Sequence, residues 1–456
     1  MRPQCLSRAI LGTIAAAPVS AADLVEIYEM ARASDPQLAA AEANMMAAGE
    51  GIVQARAALL PNISGRATLS DSSDASSRSG FFRQPDDTVV FGRSNSSGES
   101  TTRNYSLSLS QSIYDHSDYT RLRGARAGAA RAAANYDAAV DGLVVRVSEA
   151  YFAALTAITN LEAAQAEETA VKRQLEQAEQ RFEVGLSAIT DVHEAQARFD
   201  GARAAAILAQ NQLDDAYEAL TELTGRPIDA IDPLVEKIAL DRPDPDRMED
   251  WVSTAENESP LLAIRRFELE QAERAIETAK AAHYPTLGAQ YSWNNGDTWG
   301  SSTTNGLDSP GDSSFRDRGF VFTLNVPIFE GLATQSRVRQ ETFNRDAAAD
   351  SYEQEKRAIV RQTRSAYRSV IAGISEVEAR RQAQVSAQSA LDATQAGFEV
   401  GTRTIVDVLV SQQLLFQAQR DYARARHDYL VNTLRLKRAA GTVAAADLQR
   451  VNALLK

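Results

Sequence analysis

The side chains that most often perform catalysis occur here in no spacing typical of a reaction centre. The sequence contains no GxxxxGK[ST] phosphate loop, no GxSxG nucleophile turn, no GxGxxG dinucleotide turn and no CxxC pair. Its many carboxylates fall mostly on predicted helix faces, where water would solvate them. The histidines form no HExxH-type pair, so we expect solvated or helix-capping roles for His116, His193, His283 and His427. The sequence therefore predicts no enzymatic activity, no cofactor and no metal site.

Charged residues do recur around a glycine turn that occurs twice. Residues 182–192 reappear 216 residues later as 398–408, and 7 of the 11 positions are identical. A repeat of this length indicates that one structural unit was doubled, so we expect two structural repeats, 22–240 and 241–456. The glycines and aspartates common to both copies are Gly185, Gly401, Asp191 and Asp407.

Long helices are predicted to position these turns. Residues 117–184 contain mainly helix-favouring residues and no proline, and a helix of that length would extend about 100 Å. A second such segment runs from about 332 to 400. Within the first long helix and the shorter helix after it, apolar residues are spaced alternately by three and four. The shorter helix of the second half has the same spacing, which predicts coiled-coil hairpins. The hairpin tips would lie at Gly185 and Gly401.

Four short segments alternate apolar and polar residues with a period of two. They lie at about 61–70, 104–115, 285–294 and 319–329, and each has about the length of a tilted membrane strand. Polar segments, predicted to be loops, separate them at 71–103 and 295–318. Four strands cannot close a barrel, so a membrane protein of this kind would need two, three or four copies. A soluble sandwich is the alternative.

The N-terminus and the overall charge limit the remaining possibilities. Residues 1–21 have the positive start, apolar run and small-residue end of a secretory signal peptide. Its removal would take away Cys5, the sole cysteine, and with it any disulfide chemistry. The formal net charge of −13 disfavours nucleic-acid binding. No later segment has the apolar length of a membrane helix, so a membrane role would use strands.

The repeated turns and their neighbours resemble the TolC family of outer-membrane efflux and secretion channel proteins. The resemblance implies a fold that is mainly α with a membrane β part, in which three protomers share a 12-stranded β-barrel continuous with a long periplasmic coiled-coil barrel. It also implies the Gram-negative outer membrane as the location. The matching segments are LLP at 59–61, QSIYD at 111–115, RFxVGL at 181–186, AITDV at 188–192, VSAQS at 385–389 and VGTRTIVDVL at 400–409.

The same resemblance implies roles for residues at the tips. The adaptor-docking residues would be Val184, Gly185, Leu186, Val400, Gly401 and Thr402, although a plain helix–helix turn would also need the glycines. The residues that hold the entrance closed would be Thr190, Asp191 and Arg403, and Asp407 would face the pore axis. Two positions depart from the family pattern: Phe398 replaces a tyrosine of the closing network, and Val410 replaces a second entrance acid.

The resulting functional hypothesis is a passive export duct. Its expected partners are a periplasmic adaptor protein and an inner-membrane pump or ABC secretion transporter, and the pump would supply the energy. The alternative is a structural or adhesive coiled-coil protein of the cell surface without a conducting pore. The alternating strands and the predicted signal peptide favour the duct.

Overall fold

The computed structural model describes residues 21–83 and 87–456, so the predicted signal peptide lies outside the described residues except for Ala21. The helices are α1 (Leu24–Ser34), α2 (Pro36–Ala57), α3 (His116–Glu183), α4 (Ile189–Thr224), α5 (Met248–Glu258), α6 (Pro260–Ala281), α7 (Ala333–Glu399), α8 (Ile405–Ala440) and α9 (Ala445–Asn452). The strands are β1 (Asn62–Arg83), β2 (Val89–Tyr114), β3 (Thr286–Thr304), β4 (Leu307–Pro310) and β5 (Ser313–Asn325).

The two halves of the chain contain matching elements in the same order. The helices before the strands have 11 and 22 residues in each half, and the return helices α4 and α8 both have 36. The long helices α3 and α7 have 68 and 67 residues, and each begins and ends within one residue of its predicted bounds. This agreement follows from composition, because long runs rich in alanine, glutamate, glutamine and arginine favour helix throughout.

The compact units of the chain do not coincide with the two halves. Among the described residues, the first unit comprises 21–45, 132–265 and 352–456, and the second comprises 46–83, 87–131 and 266–351. Each unit therefore takes segments from both halves. The helical hairpin ends belong to the first unit, and the sheet belongs to the second.

The core of the first unit is formed by side chains of α1, α9 and the middle of α3, together with facing segments of α7 and α8. Its largest fully buried side chains include Tyr151 and Phe152 of α3 and Leu434 and Leu436 of α8. The Tyr151 hydroxyl donates a hydrogen bond to the Asp232 carbonyl oxygen at 2.8 Å, so this buried polar group is satisfied. One 18-residue window of α3 is apolar enough to span a membrane, but 56% of it is buried inside the protein, as expected for a core helix.

The second unit contains an antiparallel sheet in which β1 pairs with β2, β2 with β3, and β3 with both β4 and β5. β4 and β5 pair with successive parts of β3 and are interrupted between Pro310 and Ser313, so they act as one strand with a break. The sheet therefore has four strand positions. Among the described residues, β1 has only β2 as a partner strand and β5 has only β3.

The strands are much longer than predicted, and the polar segments at 71–103 and 295–318 are not simply loops. β1 has 22 residues and β2 has 26, and their register is continuous from Asn62–Ser110 to Arg83–Val89. Serine and threonine pairs join the strands in this region, such as Ser72 with Ser100 at 3.0 Å between hydroxyl oxygens. Polar composition indicates exposure to water, but ladder hydrogen bonds and such cross-strand pairs still favour extended backbone.

The fourth strand position ends earlier than predicted. β5 stops at Asn325, whereas the period-two pattern extends to about 329. Pro327 lies in the extra segment and has no N–H group, so it cannot donate to the ladder.

The two faces of the sheet differ in polarity. The register places Leu109 beside Ile63 and Tyr291 on one face, and Phe320 follows beside Tyr291. Phe320 and Phe322 on this face remain 56% and 63% exposed. The opposite face carries mainly polar residues, including Ser64, Ser108, Ser292, Gln290 and Thr323. An exposed apolar sheet face of this kind is typical of a surface that contacts lipid or another protein.

Candidate functional site

The first repeated turn is a Schellman motif that ends α3. The Gly185 N–H donates to the Phe182 carbonyl oxygen at 2.9 Å, and the Leu186 N–H donates to the Arg181 carbonyl oxygen at 2.7 Å. Gly185 has a φ of +77°, in the left-handed region that other residues rarely adopt.

The second turn repeats this geometry at the end of α7. The Gly401 N–H donates to the Phe398 carbonyl oxygen at 3.1 Å, and the Thr402 N–H donates to the Gly397 carbonyl oxygen at 2.8 Å. Gly401 has a φ of +82°. The glycines therefore satisfy a backbone requirement in both turns, whatever else the turns do.

The side chains around the two glycines differ in exposure and chemistry. Val184 and Leu186 are each 69% exposed in the first turn, and Val400 is 74% exposed in the second. Thr402 stands where the first turn has Leu186, and its hydroxyl donates to the Gly397 carbonyl oxygen at 3.0 Å. The first turn thus presents two aliphatic side chains to solvent, and the second presents one.

A capping box begins α8 directly after the second turn. The Asp407 Oδ2 atom accepts hydrogen bonds from the Thr404 N–H and from the Thr404 hydroxyl, both at 2.9 Å. The Asp407 N–H donates in return to the Thr404 Oγ1 atom at 3.3 Å. These bonds from Thr404, with a smaller contribution from the Arg403 charge, lower the pKa of the Asp407 carboxyl.

The first turn lacks this box. Ala188 occupies the equivalent N-cap position of α4 and has no side chain that could accept a hydrogen bond. Within residues 21–83 and 87–456, neither the Asp191 carboxylate nor the exposed Thr190 hydroxyl has a hydrogen-bond or ion-pair partner. Both groups therefore remain available to a partner outside the chain.

The Arg403 side chain packs against the second turn, the one to which it belongs. A Cβ atom at Gly397 would be 2.8 Å from the Arg403 Cγ atom, so the arginine stem covers the glycine closely. In the part of the chain that the structure describes, Arg403 shares no hydrogen bond or ion pair with Thr190 or Asp191. The exposed side chain of Val410 lies one helical turn after Asp407, at 37% exposure.

The ends of the two hairpins pack against each other within the first unit. The Arg181 guanidinium carbon lies 4.9 Å from the centre of the Phe398 ring, a cation–π contact between α3 and α7. Phe398 thus contributes a ring to this interface in place of a hydroxyl. An apolar cluster lies beside it, formed by Val171, Leu175, Ala178, Ala195, Ile405 and Leu409.

Two polar contacts join the hairpins further from the turns. The Arg420 Nη1 atom of α8 lies 3.1 Å from the Glu167 Oε2 atom of α3, and these side chains are only 24% and 17% exposed. Arg198 of α4 donates to the Gln413 Oε1 atom of α8 at 3.1 Å. These contacts hold α8 against the first hairpin.

Known proteins match the chain over nearly its whole length. The family model described as outer membrane efflux protein matches residues 27–226 and 251–442. The chain belongs to this outer membrane efflux protein family. It is 38% identical over 449 residues to the outer membrane protein TolC of Vibrio cholerae serotype O1, covering 98% of this chain and 97% of that protein.

A second relative is the alkaline protease secretion protein AprF of Pseudomonas aeruginosa. It is 29% identical, with 94% of this chain and 86% of the relative covered. The crystal structure of the outer membrane protein VceC of Vibrio cholerae has the same fold, with a TM-score of 0.71, 19% identity and coverage of 92% of this chain and 96% of that one.

Membership confirms the predicted TolC-family resemblance, the location in the outer membrane and the role as an export channel. It disfavours the alternative of a cell-surface fibre without a pore. The members matched here are channel proteins rather than enzymes. Among the described residues of this family member, no group of three or more His, Cys, Asp or Glu side chains is arranged to hold a metal ion.

One histidine prediction was wrong. His427 is only 3% exposed, and its Nδ1 atom lies 2.8 Å from the Thr156 hydroxyl oxygen, so it is neither solvated nor a helix cap. Burial, assisted by the charge of Arg426, lowers its pKa to about 4, which keeps the ring neutral. A single histidine on a helix can be buried or exposed, and nothing in the sequence around His427 distinguishes the two.

Several interface residues were missed by sequence reasoning. Arg181, Glu167 and Arg420 form contacts between helices far apart in the chain, and no local pattern marks them. The capping box did have a signal, because Thr404 is followed three residues later by Asp407, the [ST]-x-x-[DE] pattern. The arrangement as a whole presents two exposed turns and, beside them, polar side chains without a partner inside the described chain.

Proposed function

We propose that three copies of this chain form the channel. Each protomer would contribute four strand positions to a 12-stranded β-barrel and two coiled-coil hairpins to a helical barrel in the periplasm. The exported molecule would pass through without chemical change. Opening would follow from contacts with other proteins that favour the open state.

The observation that carries this proposal is the sheet of the second unit. It presents an apolar face to solvent, and within the described residues its outer strand positions have free edges. Lipid tolerates the apolar face but not unpaired backbone groups, so the edges must pair with other copies. Eight strands are the usual minimum for a closed membrane barrel, and three copies supply 12.

The closed entrance would depend on contacts between protomers. Arg403 of one protomer would bind Thr190 or Asp191 of the next, since these two side chains have no partner within the described chain. Phe398 provides no hydroxyl to this network, so Arg403 supplies more of the restraint. The equivalent acid of the second turn, Asp407, is already bound to Thr404 through one carboxylate oxygen.

The entrance would also contain a ring of three acids. One Asp407 from each protomer would face the axis, with its second oxygen free for cations. Val410 adds no second ring, so multivalent cations would bind less tightly than in a relative with two acids per protomer.

The expected partners follow from the exposed turns. A periplasmic adaptor protein would contact Val184, Gly185 and Leu186 in one groove and Val400, Gly401 and Thr402 in the other. An inner-membrane drug pump or an ABC transporter for type I secretion would complete the path. The second possibility is supported by similarity to a protein named for alkaline protease secretion.

Native mass spectrometry of the detergent-purified protein tests the assembly. The expected species has three times the mass of the mature chain and inserts into planar bilayers as a conducting pore. A monomer or dimer with the same pore activity would reject the threefold barrel.

A further inference from the structure

Three arginines lie at one end of the apolar face of the sheet. In the register, Arg318 of β5 is opposite Trp293, Arg316 is opposite Asn295, and Arg103 of β2 is opposite Asp297. The same face continues through Tyr291 and Phe320. The arginines therefore belong to the outward, apolar face and not to the polar one.

Their position along the strand is at the boundary of the apolar band. With a rise of about 3.3 Å per residue, Arg318 lies about 7 Å and Arg316 about 13 Å beyond Phe320. Both lie toward the β3–β4 turn, whereas the strand ends joined to α6 and α7 are on the other side of the band. Two aromatic side chains, Trp293 and Tyr105, lie at the same level, as in an interfacial girdle.

The three arginines differ in their partners. Arg103 donates to the Asp297 Oδ2 atom at 2.7 Å, and its guanidinium carbon lies 5.2 Å from the centre of the Trp299 ring. Arg316 and Arg318 are exposed, and over residues 21–83 and 87–456 neither guanidinium has a hydrogen-bond or ion-pair partner. Two unpaired cations at the edge of a lipid-facing surface carry a desolvation cost that an anionic headgroup would remove.

We propose that Arg316 and Arg318 bind a phosphate group of a phosphorylated glycolipid in the outer leaflet. This inference rests on the proposed orientation, in which the helices are periplasmic and the hairpin ends face outward, because that orientation places both arginines in the leaflet that contains such glycolipids. Guanidinium groups bind phosphate through paired, charge-assisted hydrogen bonds. Trp293 and Asn295 beside them supply an apolar surface and an amide for the attached sugar.

The test uses delipidated full-length protein and diphosphoryl lipid A, with fully dephosphorylated lipid A as the comparison probe. Native mass spectrometry measures the fraction of protein that retains each lipid. We expect Arg318→Gln to weaken retention of the diphosphoryl form about tenfold, and Arg316→Gln with Arg318→Gln about a hundredfold. Arg66→Gln is the matched control, because Arg66 pairs with Ser106 on the polar face. Its retention should equal that of the wild type.

Three results would overturn the proposal. The first is equal retention of the two lipids by the wild type, and the second is a loss with Arg66→Gln as large as with Arg318→Gln. Retention of phosphatidylglycerol as strong as that of diphosphoryl lipid A would also reject a glycolipid as the occupant. Conductance of the same variants in bilayers of neutral lipid reports on the channel separately, so a failed lipid site is distinguishable from a failed channel.

Discussion

The two glycine turns share their backbone geometry but differ in the residue that begins the following helix. Thr404 caps α8 and engages Asp407, whereas Ala188 begins α4 without a side-chain bond and leaves Asp191 without a partner inside the described chain. Duplication has preserved the aspartate in both copies but not its surroundings. An acid at equivalent positions can therefore stabilise its own helix in one repeat and serve a neighbouring molecule in the other.

The largest expected effect comes from removing the cation that would bind the free acid. Arg403→Ser should open the entrance, because three closing contacts of about 1 kcal/mol each would be lost, which shifts the closed–open equilibrium roughly a hundredfold. Single-channel recording should show a higher conductance, and cells should become sensitive to large antibiotics. Arg424→Ser is the control, since Arg424 pairs with Asp428 of its own helix at 3.5 Å. Unchanged conductance of Arg403→Ser would reject this closing contact.

The next effect concerns the ion pair between hairpins. In the other repeat, the positions equivalent to Glu167 and Arg420 are Ala383 and Ala204, so an interface between the second hairpin of one protomer and the first hairpin of the next would have no equivalent ion pair. Arg420→Gln should destabilise the contact within the chain by about 2 kcal/mol, because it leaves a largely buried carboxylate without its charge partner. The thermal midpoint of the detergent-purified protein measures the loss. Glu167→Gln combined with Arg420→Gln should recover part of it, and additive losses would contradict direct pairing.

The affinity of a blocking cation at the entrance should change about tenfold for each acid per protomer that is added or removed. Val410→Asp should tighten block by a trivalent metal ammine added from the periplasmic side, and Asp407→Ala should abolish it. Planar-bilayer titrations give the apparent dissociation constants. Block that survives Asp407→Ala would place the binding acids elsewhere, for example at Asp191 or Glu399.

A smaller effect should distinguish the two helix starts. Thr404→Ala should destabilise the first turn of α8 by about 1 kcal/mol, because it removes an N-cap hydrogen bond. The reciprocal change Ala188→Thr should stabilise α4 by a similar amount, since Asp191 is correctly spaced to complete a box. Hydrogen exchange of the amides in each first turn measures both. Equal protection of wild type and Thr404→Ala at α8 would show that the box adds nothing.

The smallest effect is the pH dependence of that box. The folded-state pKa of Asp407 is lowered below its ordinary value of 3.8, so ionisation favours the folded helix start. Its contribution is present above that ordinary value and is lost as the pH falls through the lower folded pKa. Exchange protection of the α8 first turn in the wild type should therefore approach that of Thr404→Ala in acid. A difference that persists undiminished at pH 2 would show that the Asp407 charge is not involved.

The sequence predicted those features that depend on local pattern. The ends of α3 and α7 were predicted within one residue, because helix-favouring residues continue up to a glycine that must adopt positive φ. The strand lengths were not, because residues such as Ser72 and Ser100 have no apolar alternation although they pair across the ladder. The contact of Arg181 with Phe398 joins residues 217 positions apart and depends on how two hairpins pack, which no single segment encodes.

Engineered cysteines test closure between protomers most directly, since the sole native cysteine, Cys5, lies in the predicted signal peptide. Asp191→Cys combined with Arg403→Cys should form, on oxidation, a covalent trimer whose low conductance rises when reductant is added. Replacing Asp191→Cys by Arg424→Cys in the same experiment should leave monomers on a denaturing gel, because Arg424 lies on α8 about six helical turns from Arg403. Monomers alone from the first pair, with conductance indifferent to oxidant, would contradict a trimeric channel closed by contacts between the first turn of one protomer and the second turn of the next.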